Sequence, residues 1–215
     1  MKKIWFITSW DDGSLFDFRI ANLLHRYNFP GIFFIPNITE LSDDQIEHLD
    51  DMGFTIGGHT VNHPPDLKLL EGQQLKDEIV LNKKYLEDVI GKEIKWFCYP
   101  KGRYNDETIK ELVEAGYKYA RTTVSGSTKE IENPYRIKTS VHVYPQNNVY
   151  GKPDWEEQAK KLLNEVIKRG GVFHLWGHSW EVDKFNQWKQ LESFLRYAQD
   201  LIRFNVLEVN DISLC

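Results

Sequence analysis

The stretch Ile4-Trp5-Phe6-Ile7-Thr8-Ser9-Trp10-Asp11-Asp12-Gly13 decides how the rest of the chain is read. Ile4 to Thr8 is a β-rich apolar run of the length of a buried strand, and two carboxylates stand just past its end. Helical spacing follows at Phe16, Ile20, Leu23, Leu24 and Tyr27. A strand that runs into polar residues and then a helix is the first part of a βαβ unit, and the unit recurs downstream. Gly31 to Ile35 reads as a second strand. Ser42 to Met52 reads as a helix, opened by a Ser-Asp-Asp cap and stopped at Gly53. Phe54 to Gly57 is a short strand, followed by a long helix from Gln73 to Ile90 with Leu75, Ile79, Leu86 and Val89 on its apolar side. Ile94 to Tyr99 is the next strand, and Asn105 caps a helix that runs to Ala115. Strands at Tyr117 to Thr122 and Tyr135 to Thr139, a helix from Asp154 to Gly170 and a strand from Gly171 to Trp176 come next. A helix from Lys184 to Arg203 and a strand from Val206 to Val209 complete the pattern.

Seven or eight such alternations imply parallel pairing and right-handed crossovers. A doubly wound sheet and a barrel both fit this α/β pattern. The number of units favours a distorted or incomplete (β/α) barrel, read as a single domain over residues 1–215. In both architectures chemistry gathers where strands end on their C-terminal side.

Composition narrows the function classes. The 215 residues carry 27 Lys plus Arg against 32 Asp plus Glu, a formal net charge of −5, with 41% apolar and 13% aromatic residues. That is ample for one packed core and too apolar for a disordered chain. No basic excess or basic run attracts nucleic acid. The longest apolar stretches fall far short of the roughly 20 residues that span a bilayer. Cys98 and Cys215 read as free thiols, consistent with a reducing compartment. The short apolar run after Lys2 and Lys3 does not make a signal-peptide core, so the expected location is the cytoplasm.

The polar clusters fall where the strand-end rule puts them. Asp11 and Asp12 follow the first strand; adjacent carboxylates leaving a strand point different ways, so one can bind a metal while the other serves as a base. A solvated turn, with Asp12 capping the helix behind Gly13-Ser14, is the plainer reading of the doublet alone. In His59-Thr60-Val61-Asn62-His63 the two imidazoles are spaced i and i+4, close enough to reach one ion from a single turn, and Pro64-Pro65 ends any helix there. Two unrelated histidines are the alternative. Two His plus a carboxylate, with open positions, make a catalytic metal set. Pro100, Lys101, Gly102 and Arg103 follow the fourth strand. His174 and His178 bracket Leu175-Trp176-Gly177, His174 on the strand and His178 in the loop beyond it. His178 suits a general acid for a leaving amine. His174 reads as a satisfied core histidine or as a neighbour of the site. His25, His48 and His142 receive no role.

Together these residues resemble the polysaccharide deacetylases, the NodB-homology group also called carbohydrate esterase family 4. Ser9-Trp10-Asp11-Asp12-Gly13 is similar to the family's Thr-Phe-Asp-Asp-Gly, and Gly58-His59-Thr60-Val61-Asn62-His63 to its His-Ser/Thr-x-x-His. Phe97-Cys98-Tyr99-Pro100-Lys101-Gly102 resembles the third motif, Arg-x-Pro-Tyr-Gly. Asp154-Trp155 corresponds to the fourth, an Asp-Trp element. His178-Ser179-Trp180-Glu181 resembles a His-Pro-Trp-Glu form of the fifth, usually Leu-x-His-Asp. The resemblance implies a distorted (β/α) barrel. It implies Asp12, His59 and His63 as metal ligands, Asp11 as general base and His178 as general acid. It also implies an oxyanion and substrate-binding edge from Tyr99, Pro100, Lys101, Gly102 and Arg103, with the Lys101 N–H on the oxyanion. Trp155, His174 and Trp180 complete the expected lining.

Three departures accompany the match. The third-motif Arg, which orients the base, is Cys98 here, leaving Arg103, Arg121 and Arg136 as replacements. The Tyr after the proline is Lys101. The Asp after the fifth-motif His is Ser179, with Glu181 nearby. The implied activity is metal-assisted hydrolysis of an N-acetyl amide, with zinc as the first choice of divalent ion and cobalt, nickel, iron or manganese as the others. Seven Trp and ten Tyr, with Trp155, Trp176 and Trp180 late in the chain, suit stacking on an N-acetylated sugar. A soluble sugar, glycolipid precursor or small oligosaccharide is preferred to assembled polymer. The rivals are a metal-dependent amidase acting on a non-sugar amide or ureide, and a sugar-binding relative without catalysis. The oligomeric state stays open.

Overall fold

The protein's structure, a computed structural model, describes residues 4–145, 154–205 and 209–210, with the backbone alone for 202–205 and 209–210. Strands β1 (Ile4–Asp11), β2 (Ile32–Ile35), β3 (Thr55–Gly58), β4 (Trp96–Cys98), β5 (Tyr119–Arg121), β6 (Val141–His142), β7 (Gly171–His178) and β8 (Val209–Asn210) alternate with seven helices. These are α1 (Asp17–Tyr27), α2 (Asp43–Asp51), α3 (Gly72–Ile90), α4 (Asp106–Glu114), α5 (Trp155–Arg169), α6 (Ser179–Lys184) and α7 (Trp188–Asn205). The strand order is β5-β4-β3-β2-β1-β7-β6, and β8 pairs with the start of β1. Every pairing among the described residues is parallel.

The two edges of this curled sheet meet through one irregular segment. Ile137 bridges Arg121 of β5, and a few residues on, β6 pairs with Leu175 and Trp176 of β7. The expected strand from Tyr135 to Thr139 is therefore a crossing rather than a ladder. Ile137 N–H donates to Ala120 O, while Ser140 N–H already donates to His174 O on the other side. One short segment serving two edges cannot keep regular register with either. The result is the distorted (β/α) barrel expected from the pattern.

Period-two alternation along the strands makes two cores. Phe6, Trp10, Phe33, Ile35 and Phe97 face outward to the helices and pack with Ile20, Leu49, Ile79, Val166 and Phe194. Ile7, Ile32, Phe34, Trp96, Cys98, Ile137 and Val172 fill the barrel interior. Helix ends follow their capping residues. Ser42 and Asn105 each form a capping box, and Asp154 accepts from the N–H groups of Glu156 and Glu157.

Three boundaries differ from the sequence reading in ways that matter for the site. β1 runs on to Asp11, and β7 runs on to His178, so His178 ends a strand rather than sitting in a loop. The two residues are register partners across the β1–β7 ladder. A separate helix, α6, starts immediately after His178. α7 begins only at Trp188. Among the described residues Cys98 is a buried free thiol. Cys215 and the segment 206–208 of the expected last strand lie outside them.

Candidate active site

The C-terminal ends of β1, β3, β4, β5 and β7 converge on one cluster. Asp11 closes β1 with its side chain turned into the barrel, and it is 2% exposed. Asp12 leaves the strand in the left-handed region, with φ of 81°. That reversal separates the two carboxylates and carries Asp12 toward the loop after β3. Thr60 (φ 70°), His63 (φ 46°) and Lys101 (φ 54°) share this conformation on the neighbouring loops. The other non-glycine residues with left-handed backbone, among those described, are Asn28 and Asn186, a residue type that tolerates the region. Backbone held this way costs about 1–3 kcal/mol per residue, and here it is concentrated around the polar cluster.

Asp12, His59 and His63 form the first group. Asp12 Oδ1 lies 3.6 Å from His59 Nε2 and 3.5 Å from His63 Nε2. His59 Nδ1 donates to the Cys98 carbonyl at 2.7 Å, which leaves its Nε2 lone pair turned to the cluster. Asp12 Oδ2 accepts from Trp180 Nε1 at 3.0 Å, but the buried Oδ1 has no hydrogen-bond partner. A buried carboxylate oxygen facing two imidazole nitrogens calls for a cation to complete it. Two nitrogens and an oxygen, with one face open, suit a divalent transition ion. The donor atoms all lie within 4.8 Å of one another. Burial disfavours the Asp12 charge, yet the imidazoles of His59 and His178 beside it keep its carboxyl well below the usual range.

Helix α3 supports this turn from behind. Glu78 accepts from the N–H groups of Val61 (2.9 Å) and Asn62 (2.8 Å) and from Asn62 Nδ2 (2.7 Å). Asn82 accepts from His59 N–H at 2.8 Å and donates to Ile35 O at 3.0 Å. Gly58 permits this approach, because a Cβ there would collide with Asn82 and the Tyr117 hydroxyl.

Asp11 belongs to a second group. Arg121 Nη2 donates to both of its carboxylate oxygens from full burial. The Cys98 thiol lies 3.6 Å from Asp11 Oδ2 and donates to it. Burial alone raises the Asp11 pKa, but the Arg121 guanidinium, with His59 and His178, brings it below the ordinary carboxylate value. The guanidinium is held between the rings of Trp176 (4.6 Å) and Phe34 (5.3 Å). Arg121 is the register partner of Cys98 across the β4–β5 ladder. Of the three candidate arginines, the structure thus selects Arg121, one strand over from the motif position. Arg103 pairs with Asp66 and Arg136 with Asp106, both at the surface.

His178 faces both groups, with Nε2 3.9 Å from Asp11 Oδ2 and 3.8 Å from Asp12 Oδ2. Its Nδ1 is 2.6 Å from Glu181 Oε2. The same oxygen lies 3.0 Å from His142 Nε2. Burial works against the Glu181 charge, but hydrogen bonds from His142 and His178 outweigh it and hold the carboxyl at about 2. Burial also works against a charged His178, and the bond to Glu181 with the nearby Asp11 reverses the balance, raising its pKa.

Asp11, Asp12, His59, His63, His178 and Trp180 therefore meet as expected. Several other expected lining residues do not. His174 is fully buried in the barrel interior, with its Nε2 2.8 Å from Ser9 Oγ, so it is a core histidine rather than a substrate contact. Trp155 is 1% exposed and packs against Phe194 between α5 and α7, with Nε1 donating to Gln187. The Tyr99 ring is buried among the helices, stacked on Tyr104, and its hydroxyl donates to Tyr135 O. All three point away because strand parity or helix position sends them into the core. Pro100, Lys101 and Gly102 form a 3-10 turn beyond β4, with Lys101 exposed. Arg103 follows at the surface. His142 joins the site although no local pattern marks it, since its partner Glu181 is 39 residues away.

A polysaccharide deacetylase family model matches residues 1–120, and the chain belongs to that family. Bacillus subtilis YxkH, a polysaccharide deacetylase homologue, is 27% identical over 137 residues, covering 61% of this chain and 49% of its own length. The chain spans about half the length of the curated relatives it matches. A solved polysaccharide deacetylase homologue from Mycobacterium smegmatis superposes with a TM-score of 0.72 at 17% identity, covering 98% of this chain and 94% of that one. A Bacillus anthracis pseudoenzyme of carbohydrate esterase family 4 superposes with a TM-score of 0.65 at 16% identity, covering 99% and 64%. At these identities the solved structures speak for the fold alone.

Proposed function

We propose that this chain is a metal-dependent N-deacetylase that hydrolyses the acetamido group of an N-acetylated sugar. Family membership supports a hydrolase acting on N-acetyl groups. The observation that carries the finer reading is the buried, unpartnered Asp12 Oδ1 opposite the Nε2 atoms of His59 and His63. Those three residues would hold a divalent ion, zinc in the first instance. When bound, it supplies Lewis-acid polarisation of the acetyl carbonyl and lowers the pKa of a water.

The chain's own residues divide the remaining work. Asp11 is ionised at neutral pH, and Arg121 fixes both of its oxygens, so it takes the proton of the attacking water. A C–O bond forms at the acetyl carbon, and the C–N bond then breaks. His178 delivers the proton on its Nε2 to the departing nitrogen, giving a free amine and acetate. The left-handed turn at Lys101 offers its N–H to the developing oxyanion. Trp180, 36% exposed beside Asp12, offers an indole face to a sugar ring.

The loss of the motif Arg at Cys98 is the motive for the rival reading, a sugar-binding protein without turnover. Arg121 in contact with Asp11 counters that motive. The test is elemental analysis together with acetate release from N-acetylated sugars, for wild type, Asp12→Ala and Asp11→Asn. The expected results are about one metal equivalent in wild type and loss of metal and turnover together in Asp12→Ala. Asp11→Asn should keep its metal and lose turnover by about 100-fold or more. Metal without acetate release, but with opening of a ring amide or ureide, would turn the reading to an amidase. Absence of metal after reconstitution would favour the binding protein.

A further inference from the structure

The acid side of the site holds more than a general acid needs at minimum. Glu181 Oε2 receives two donors, His178 Nδ1 at 2.6 Å and His142 Nε2 at 3.0 Å. His142 is itself clamped. Its ring lies 3.9 Å from that of Trp176 at an interplanar angle of 11°, and 5.3 Å from Tyr144 at 12°. Strand pairing sets this stack, because His142 and Trp176 are register partners across β6 and β7. The His142 side chain is 14% exposed and that of Glu181 11%.

Each hydrogen bond restricts the next group. Stacking between two rings leaves His142 little freedom to turn, so its Nε2–H points at a fixed place. That donor pins one oxygen of Glu181, and the same oxygen fixes the ring plane of His178. With Nδ1 committed to Glu181, the Nε2 of His178 is the nitrogen that faces Asp11 and Asp12. A hydrogen-bonded partner of this kind sets both tautomer and orientation of a catalytic imidazole.

We propose that His142 is a positioning residue for the acid step, acting through Glu181 to hold His178 with its Nε2 proton aimed at the leaving nitrogen. The inference rests on the deacetylase reading above and adds to it a third member on the acid side, reached from β6. The step it serves breaks the acetyl C–N bond, and the His178 proton ends on the amine nitrogen.

The experiment compares wild type, His142→Phe and His142→Gln on two probes. One is N,N′-diacetylchitobiose, whose amine must be protonated to leave. The other is p-nitrophenyl acetate, whose phenolate leaves without a proton. Phe keeps the stack on Trp176 and removes the donor, whereas Gln restores a donor. His142→Phe should lower kcat on the amide about 10- to 100-fold with KM little changed. Its turnover of the ester should stay within about threefold of wild type. His142→Gln should recover part of the loss. Equal losses on both probes, or no loss on either, would overturn the proposal.

A second readout needs no turnover. In protein carrying 15N-histidine, the downfield Nδ1–H resonance of His178 should be present in wild type and weakened or shifted upfield in His142→Phe. An unchanged resonance would also overturn the proposal. Wild type inert toward both probes would instead sink the deacetylase reading, and the resonance would still decide whether His142 positions His178.

Discussion

Arg121 shows how one residue can restore a missing motif from outside it. The family's third motif would place an arginine on β4, where this chain has Cys98. Its cross-strand partner on β5 brings a guanidinium to the same carboxylate. Removing it would strand a buried anion, so Arg121→Ala should cost about 3–5 kcal/mol of stability and abolish turnover. A sharper test exchanges the pair. Arg121→Cys should be inactive, and Cys98→Arg combined with Arg121→Cys should regain measurable acetate release. If the double variant stays as dead as the single one, the position of the guanidinium matters as well as its contact with Asp11.

At the scale of elements, α3 and α1 hold the site loops in place. Glu78 on α3 is the acceptor for two successive backbone donors of the His59–His63 turn. Glu78→Ala should cost about 1–3 kcal/mol through those unpaired groups. It should also weaken metal binding about 10- to 100-fold, measured by competition with a chromophoric chelator. Asp17 opens α1 and accepts from Ser179 Oγ at 2.5 Å, tying α1 to α6 just behind His178. Burial, reinforced by the charges of Asp12 and Asp11 against the bond from Ser179, pushes its pKa up to about 8. The unfolded carboxyl ionises near its ordinary value of about 3.9. Between these values the folded chain binds the extra proton, so stability falls as pH rises from about 4 to about 8 and levels off above. Asn cannot ionise, so the melting advantage of Asp17→Asn should be larger at pH 8 than at pH 5. An advantage that does not change with pH would mean that Asp17 is ionised in the native protein.

The whole barrel has to be assembled before the donor atoms meet. Asp12 comes from the end of β1, while His59 and His63 come from the turn after β3, and the sheet joins them. Binding a divalent ion should therefore stabilise the native state as a whole. At a free concentration of about 100 times Kd, the gain is about 2.7 kcal/mol. For a chain of this size that corresponds to a rise in Tm of roughly 5–10 °C. Chelation should reverse the rise, and Asp12→Ala should melt at the same temperature with and without metal. A metal-induced rise that survives Asp12→Ala would place the ion elsewhere.

The parts of this protein written locally were legible in its sequence. Strand and helix periodicity, the Asp11-Asp12 doublet and the i, i+4 spacing of His59 and His63 all lie within short windows. Short windows were enough to favour the barrel class and to bring out two histidines and a carboxylate as a candidate metal set, because local backbone geometry sets which side chains leave a strand end together; the family resemblance assigned Asp12 to that set. The misplaced residues also have a local explanation. Tyr99 follows the end of β4 and His174 lies midway along β7; period-two parity turns the first out to the helices and buries the second in the barrel below the cluster. The tertiary structure alone decided that Arg121 meets Asp11 and that His142 stands behind the local His178–Glu181 pair. Those contacts depend on register between strands far apart in the chain, and register is set by the packing of two cores at once rather than by any single segment.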